Sequence, residues 1–222
     1  MPRADRKHLL ACCEPVHLVL AQVLAEPGQA TRHVYFPTEG FVSLIAQLDR
    51  QHGLEVGMAG DEGMLGVHLA LGVVQEPLKV LVQGAGLAWR MTAPAFRAEW
   101  TRSDALRRRL HRYVSVLLAQ RASAAACLRF HEISPRLARW LLMSQDRAHA
   151  DQFPLTQEFL AAMLGVRRVG ITGAAGALQR RGLIRYHRGA LTVVDRPGLL
   201  AAACSCYAAD TRVYQQTLAA RR

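Results

Sequence analysis

The chain has 222 residues, 51% of them apolar, and carries 28 Lys and Arg against 17 Asp and Glu, a net charge of +11. That length bounds it to one or two domains, and that apolar share excludes a disordered chain. The cationic excess favours an anionic partner, nucleic acid first and a membrane surface second.

The excess sits in one half. Residues 1–100 hold 8 basic and 10 acidic side chains, while residues 101–222 hold 20 basic and 7 acidic. A near-neutral module is thus followed by a polyanion-binding one. The apolar run at residues 9–13 is too short for a secretory signal. The longest uncharged stretches, 63–75 and 197–209, fall well short of the roughly 20 residues that span a bilayer. The sequence reads as soluble and cytoplasmic, with no membrane partner. Five cysteines, an odd number, argue against a disulfide scaffold.

From residue 18 to 91 the pattern is strand-like. Short apolar runs at 33–36, 41–48, 54–58, 78–82 and 87–91 are divided by Gly and Pro, which suggests a β-sandwich or small barrel. The pattern changes after Pro94. Residues 103–130 contain neither Gly nor Pro. Ser103 can cap a helix there, with Asp104 favourable in its first turn. Leu106, Leu110, Tyr113 or Val114, Leu117, Leu118, Ala124, Ala125 and Leu128 recur at steps of three and four. They mark an apolar stripe on a helix of about 25 residues, roughly 38 Å long. Such a stripe can pack on a neighbouring domain, on a second copy, or within its own chain. Ser123, Ala124, Ala125 and Ala126 would permit close approach. Ser134 as N-cap and Pro135 at the first helical position predict a second helix over 136–149, with Leu137, Trp140 and Leu141 on one face.

Residues 156–184 have the form of a helix-turn-helix. Thr156 caps the first helix, Glu158 sits in its first turn, and Phe159, Leu160, Met163 and Leu164 supply a buried face. Gly165 ends it where a left-handed residue is needed, and Ala161 is small where the helices must approach. The second helix, about 167–181, turns Ile171, Ala174, Ala175 and Leu178 inward. Its other face carries Arg168, Val169, Thr172, Gly173, Gln179 and Arg180. An arginine at the N-terminal end can reach a guanine edge bidentately in the major groove. Arg180, Arg181, Arg185 and Arg188 fit phosphate contacts, which supply affinity without sequence information. The runs 183–186 and 190–194, joined by His187-Arg188-Gly189, read as a wing with a basic tip. Gly170, Gly173 and Gly176 are unfavourable in a helix by roughly 1 kcal/mol each. Either packing or close approach to DNA must account for them.

HVYFPTEGFVSL (33–44), RLARWLL (136–142) and LTQEFLAAMLGVRR (155–168) resemble the Crp/Fnr family of bacterial transcription regulators. The resemblance covers nearly the whole chain. It implies an α+β fold in three parts: a β-sandwich or jelly-roll, cyclic-nucleotide-binding-like sensor domain (1–100), a long dimerisation helix (101–131) and a winged helix-turn-helix (132–222). It also implies a homodimer joined through helix 103–130, promoter DNA as partner, and RNA polymerase beside it. By position, Arg168, Val169 and Gly173 match the family's three base-reading residues. The expected DNA-binding set is Thr156, Gln157, Arg167, Arg168, Val169, Thr172, Gly173, Arg180 and Arg188.

The sensor half departs from the pattern. Gly60, Asp61, Glu62 and Gly63 resemble the turn that helps hold cyclic AMP. The following stretch, 64–77, has no Arg or Lys to meet a buried phosphate. A plain turn is the stronger reading, cyclic AMP is not expected to act, and no cofactor is assigned to the unknown effector. Cys12 and Cys13 are adjacent and do not match the family's iron–sulfur spacing. Cys127 with His131 and Cys204 with Cys206 could in principle bind metal or respond to oxidants. Buried inert thiols are the favoured reading, and no metal site is expected. An enzyme is not expected either: the nine histidines lack the paired spacing of a metal-dependent cupin, and no nucleophile elbow or phosphate-binding Gly-rich loop is present. Two alternatives accompany the DNA-binding reading: a degenerate regulator acting through protein contacts, and a redox- or metal-sensing regulator using Cys127, His131, Cys204 and Cys206.

Overall fold

A computed structural model describes residues 1–49, 53–187 and 189–218. After a short helix α1 (Arg3–Ala11) the chain runs through seven strands: β1 (Glu14–Leu18), β2 (Val23–Ala25), β3 (His33–Pro37), β4 (Phe41–Gln47), β5 (Gly53–Ala59), β6 (Lys79–Gly84) and β7 (Gly86–Thr92). They form two antiparallel sheets, ordered β2-β6-β4-β5 and β1-β7-β3. Val42, Leu44, Ala59, Val80 and Val82 of the first sheet pack with Leu18 and Ala88 of the second. This is the sandwich that the Gly- and Pro-divided runs imply. Each buried Val or Leu contributes about 1.5–3 kcal/mol.

Thr92 accepts a hydrogen bond from the Ala95 N–H and starts α2 (Ala93–Arg102). Ser103 then caps α3 (Asp104–Phe130), accepting from the Leu106 N–H at 3.2 Å. The apolar stripe of α3 is satisfied within its own chain over its first half, while Leu118, Ala125 and Leu128 of that stripe are exposed. Leu106, Leu110, Tyr113, Val116 and Leu117 are buried with Leu9 of α1 and Phe96 of α2. The adjoining face leaves Ser115, Leu118, Ala119, Ala122, Ala125 and Ala126 exposed.

The helix α4 (Ile133–Ala148) begins three residues before the expected 136, and Glu132, not Ser134, is its N-cap. Pro135 therefore lies inside the first turn. It is tolerated because the first four N–H groups of a helix have no partner within it. Leu137, Trp140 and Leu141 are buried as expected. Then follow β8 (Gln152–Pro154), α5 (Gln157–Leu164), α6 (Arg168–Arg180), β9 (Ile184–His187) and β10 (Ala190–Val193), the strands forming a sheet ordered β8-β10-β9. Two further helices, α7 (Arg196–Ala202) and α8 (Cys206–Leu218), close the described chain. No helix among the described residues is long and apolar enough to cross a membrane.

The two halves share a core. Phe41, Ile45 and Met58 of the β-sandwich belong to the same cluster as Leu137, Leu141, Leu160 and Ile171. The Trp140 Nε1–H donates to Glu55 Oε1 at 2.9 Å, and Ser43 bonds the other carboxylate oxygen. Arg147 pairs with Glu62 at 2.8 Å. The last helix doubles back: Val213 and Tyr214 pack against the cluster that holds Leu9 and Leu106, and Leu218 is buried in it.

Candidate nucleic-acid interface

Thr156 accepts from the Phe159 N–H at 3.1 Å and fixes the start of α5. Leu160, Ala161, Met163 and Leu164 of that helix are buried. Gly165 then adopts φ +62°, and a methyl there would lie 2.8 Å from Leu54 Cδ1 of β5. The left-handed backbone favours glycine, and the close approach adds to that, since a side chain there would have to displace the end of Leu54. The Val166 N–H donates to the Ala161 carbonyl at 3.0 Å and completes the turn. Arg167 is the extended N-cap of α6 and Arg181 its C-cap, so both lie just outside the helix.

The inward face of α6 is Ile171, Ala174, Ala175 and Leu178, as its periodicity requires. The outward face presents Arg167, Arg168, Val169, Thr172, Gly173 and Arg180, with Val169 75% accessible. The Thr172 hydroxyl lies 2.8 Å from Gln157 Oε1 and 3.1 Å from the Arg168 carbonyl. That contact joins the N-terminal ends of α5 and α6 into one surface. Gln179 sits differently from its neighbours: its side-chain oxygen accepts the Tyr186 N–H and tethers the wing. Tyr186 in turn donates its hydroxyl to the Leu155 carbonyl at 2.9 Å.

Ion pairing sorts the arginines. Arg139, Arg147 and Arg196 are held by Asp210, Glu62 and Asp146. Among the described residues, Arg167, Arg168, Arg180, Arg181 and Arg185 make no such pair, and all five are exposed. Unpaired guanidinium groups on one edge suit phosphate and base contacts. Arg188, expected at the wing tip, lies outside the described residues. The glycines of α6 divide. A methyl on Gly170 would meet Ile133 Cδ1 at 2.8 Å, so packing against α4 favours glycine there, whereas Gly173 faces open space.

In the β-sandwich half, the turn Gly60–Gly63 is engaged by the C-terminal helices. Glu62 accepts from Arg147 and from the Tyr214 hydroxyl, the latter at 3.4 Å, and the Tyr113 ring packs over Gly63. Asp61 faces His149 at 3.5 Å. Elsewhere in the sandwich a cavity of about 500 Å³ is lined by residues including Thr31, Arg32, Tyr35 and Glu76. Burial pushes the Glu76 carboxyl up to about 7, and burial does the same to Glu55, opposed by its hydrogen bonds from Ser43 and Trp140.

The spacing of the cysteines points to inert buried thiols, but tertiary structure gathers them. Cys127, His131, Cys204 and Cys206 offer four ligand atoms, all within 4.8 Å of one another. The hydrogen bond between the Cys127 and Cys204 thiols favours one thiolate in the pair, against burial. The four residues named together as the metal- or redox-sensing alternative are thus neighbours in space.

The model of the Crp-like helix-turn-helix domain matches residues 135–202. No curated protein matches the chain. Among solved structures, a global regulator of Xanthomonas campestris described as c-di-GMP responsive superposes with a TM-score of 0.69 at 18% identity, over 86% of this chain and 99% of that one. A Crp/Fnr-family transcriptional regulator of Thermus thermophilus gives 0.68 at 22% identity, over 86% and 98%. One from Eubacterium rectale gives 0.67 at 17% identity, over 91% and 94%.

Proposed function

We propose that this chain, a Crp/Fnr-type transcription regulator by its Crp-like helix-turn-helix domain and its fold, binds promoter DNA in the cytoplasm as a homodimer, with α6 in the major groove. The observation that carries the reading is the exposed edge Arg167, Arg168, Val169, Thr172, Gly173 and Arg180, set on a helix whose other face is core. Arg168 is the base-reading arginine. Thr156, Gln157, Arg167, Arg180 and Arg188 position the duplex through its phosphates. Val169 and Thr172 are placed for apolar contact with thymine methyl groups. The exposed small-residue face of α3, from Ser115 to Ala126, is where the second copy packs. RNA polymerase is the further partner this arrangement would recruit.

Cyclic AMP does not drive the protein in this reading. Glu62 is already held by Arg147, and residues 64–77 supply no cation for a cyclic phosphate. The test is in vitro selection of bound duplexes, repeated with Arg168→Ala. The expected result is a two-fold-symmetric site about one helical turn between half-sites, with preference lost at one base pair per half-site in the variant. Equal binding of selected and random duplexes at physiological salt overturns it.

A further inference from the structure

The side chains of Cys127, His131, Cys204 and Cys206 come from two places far apart in sequence. Cys127 lies in the last turn of α3, and His131 is the residue that ends it, its N–H bonded to the Cys127 carbonyl at 3.1 Å. Cys204 and Cys206 flank the start of α8. Cys127 Sγ lies 3.6 Å from Cys204 Sγ, and Cys206 Sγ lies 3.5 Å from His131 Nδ1. A tetrahedral ion with metal–sulfur bonds of about 2.3 Å and metal–nitrogen bonds of about 2.0–2.1 Å has ligand–ligand edges of roughly 3.5–3.8 Å. The two distances match those edges. With every ligand atom within 4.8 Å of the others, one ion fits between them and a multi-iron cluster does not. A disulfide would need the sulfurs at about 2.05 Å.

The surroundings suit the charge. Three thiolates and a divalent cation leave one net negative charge, and the Arg136 guanidinium lies in the field of Cys127 and Cys204, while that of Arg139 is shared between them and Asp210. The Nε–H of Arg139 is buried with no partner among the described residues. Metal-bound thiolates accept such donors, and outer partners of this kind orient ligands. Three sulfurs and one imidazole nitrogen select a borderline-soft ion.

We propose that Cys127, His131, Cys204 and Cys206 form a mononuclear tetrahedral site for a divalent cation of the zinc class. The ion fastens the end of α3 to the start of α8. It thereby holds the link from α3 to α4, on which the helix-turn-helix is mounted, in one orientation. The binding of DNA is not needed for this argument, and the test does not read it.

Reduced full-length protein, prepared without oxygen, is titrated with Co(II) and with Zn(II). The expected result is one equivalent per chain, with thiolate-to-cobalt charge transfer and the visible bands of tetrahedral cobalt. Cys204→Ser and Cys206→Ser each weaken binding by about 100-fold or more, since even losing an outer partner costs 10–100-fold. A Cys12→Ser/Cys13→Ser variant binds normally. Because a ligand variant can fail by misfolding, alkylation of the wild-type protein gives a second reading. Zinc protects Cys127, Cys204 and Cys206 while Cys12 still reacts, and a chelator abolishes that protection. An octahedral cobalt spectrum, protection indifferent to chelator, a Cys127–Cys204 disulfide persisting under reductant, or binding lost only in the Cys12/Cys13 variant would each overturn the assignment.

Discussion

Replacing Gly173 by Ala separates the stability of α6 from its use. Gly173 is helical, exposed, and has nothing within 4 Å of the position a methyl would take. The methyl therefore meets no neighbour, and the helix gains the propensity difference of about 0.8–1 kcal/mol. For a chain of this size that raises the melting temperature by roughly 2–4 °C. In the proposed complex the same methyl stands on the face that enters the groove. Loss of close contact there costs about 1–3 kcal/mol, the amount a mismatched base pair costs, or roughly 5- to 150-fold in affinity. Thermal unfolding and binding to a selected duplex at fixed salt give the two readings. Gly173→Ala is expected to be more stable and to bind less tightly. A lowered melting temperature would mean that the outer face of α6 is packed against something, and an unchanged affinity would remove Gly173 from the DNA surface.

Arg180→Ala should weaken binding to all duplexes alike and reduce the salt slope by about one, as loss of one phosphate contact does; loss of preference at a single base pair would make it a base reader instead. Glu55 ionises at about 7 in the folded chain against 4.5 ordinarily, because burial disfavours its charge. The folded state therefore favours the protonated acid. The stability this group contributes is full below pH 4.5 and falls as pH rises through 7, by at most about 3 kcal/mol. Denaturant titrations between pH 5 and 8 should show that fall in the wild type and a smaller one in Glu55→Gln, where the contribution of Glu76 remains; equal slopes would refute the assignment. Leu118 is 62% exposed on α3, so Leu118→Glu should leave the melting of the protomer nearly unchanged while shifting sedimentation towards a monomer. A dimer that persists at micromolar concentration would place the interface elsewhere.

Local chemistry makes much of this architecture readable. Ser103 followed by 27 residues of unbroken helix, Thr156 before α5 and Gly165 between α5 and α6 stand where capping and left-handed geometry place them. The strand runs are bracketed by their Gly and Pro residues. The misses share a cause. The stripe on α3 is visible, but periodicity cannot say where its partner lies: Leu106, Leu110, Tyr113 and Leu117 turn into the same chain, while Leu118, Ala125 and Leu128 face outward. The helix α8 has few buried apolar residues and is fixed by polar ties, Asp210 to Arg139 and Tyr214 to Glu62. Hydrophobic spacing does not register such ties. Cys127, His131, Cys204 and Cys206 could be named as candidates from their residue types, but that their ligand atoms converge is a product of tertiary folding that spacing does not encode.

The course of α8 constrains how this molecule can move. It leaves the helix-turn-helix half at Cys206, is held by Arg139 and by Asp146 through Tyr207, and ends with Leu218 buried beside the base of the sandwich. A rotation about residues 131–132 alone would have to peel that helix away along its length. Reorientation of the helix-turn-helix must therefore break these ties as well as the core it shares with the sandwich, and a chain cut just before Cys206 would lose the first restraint and keep the second.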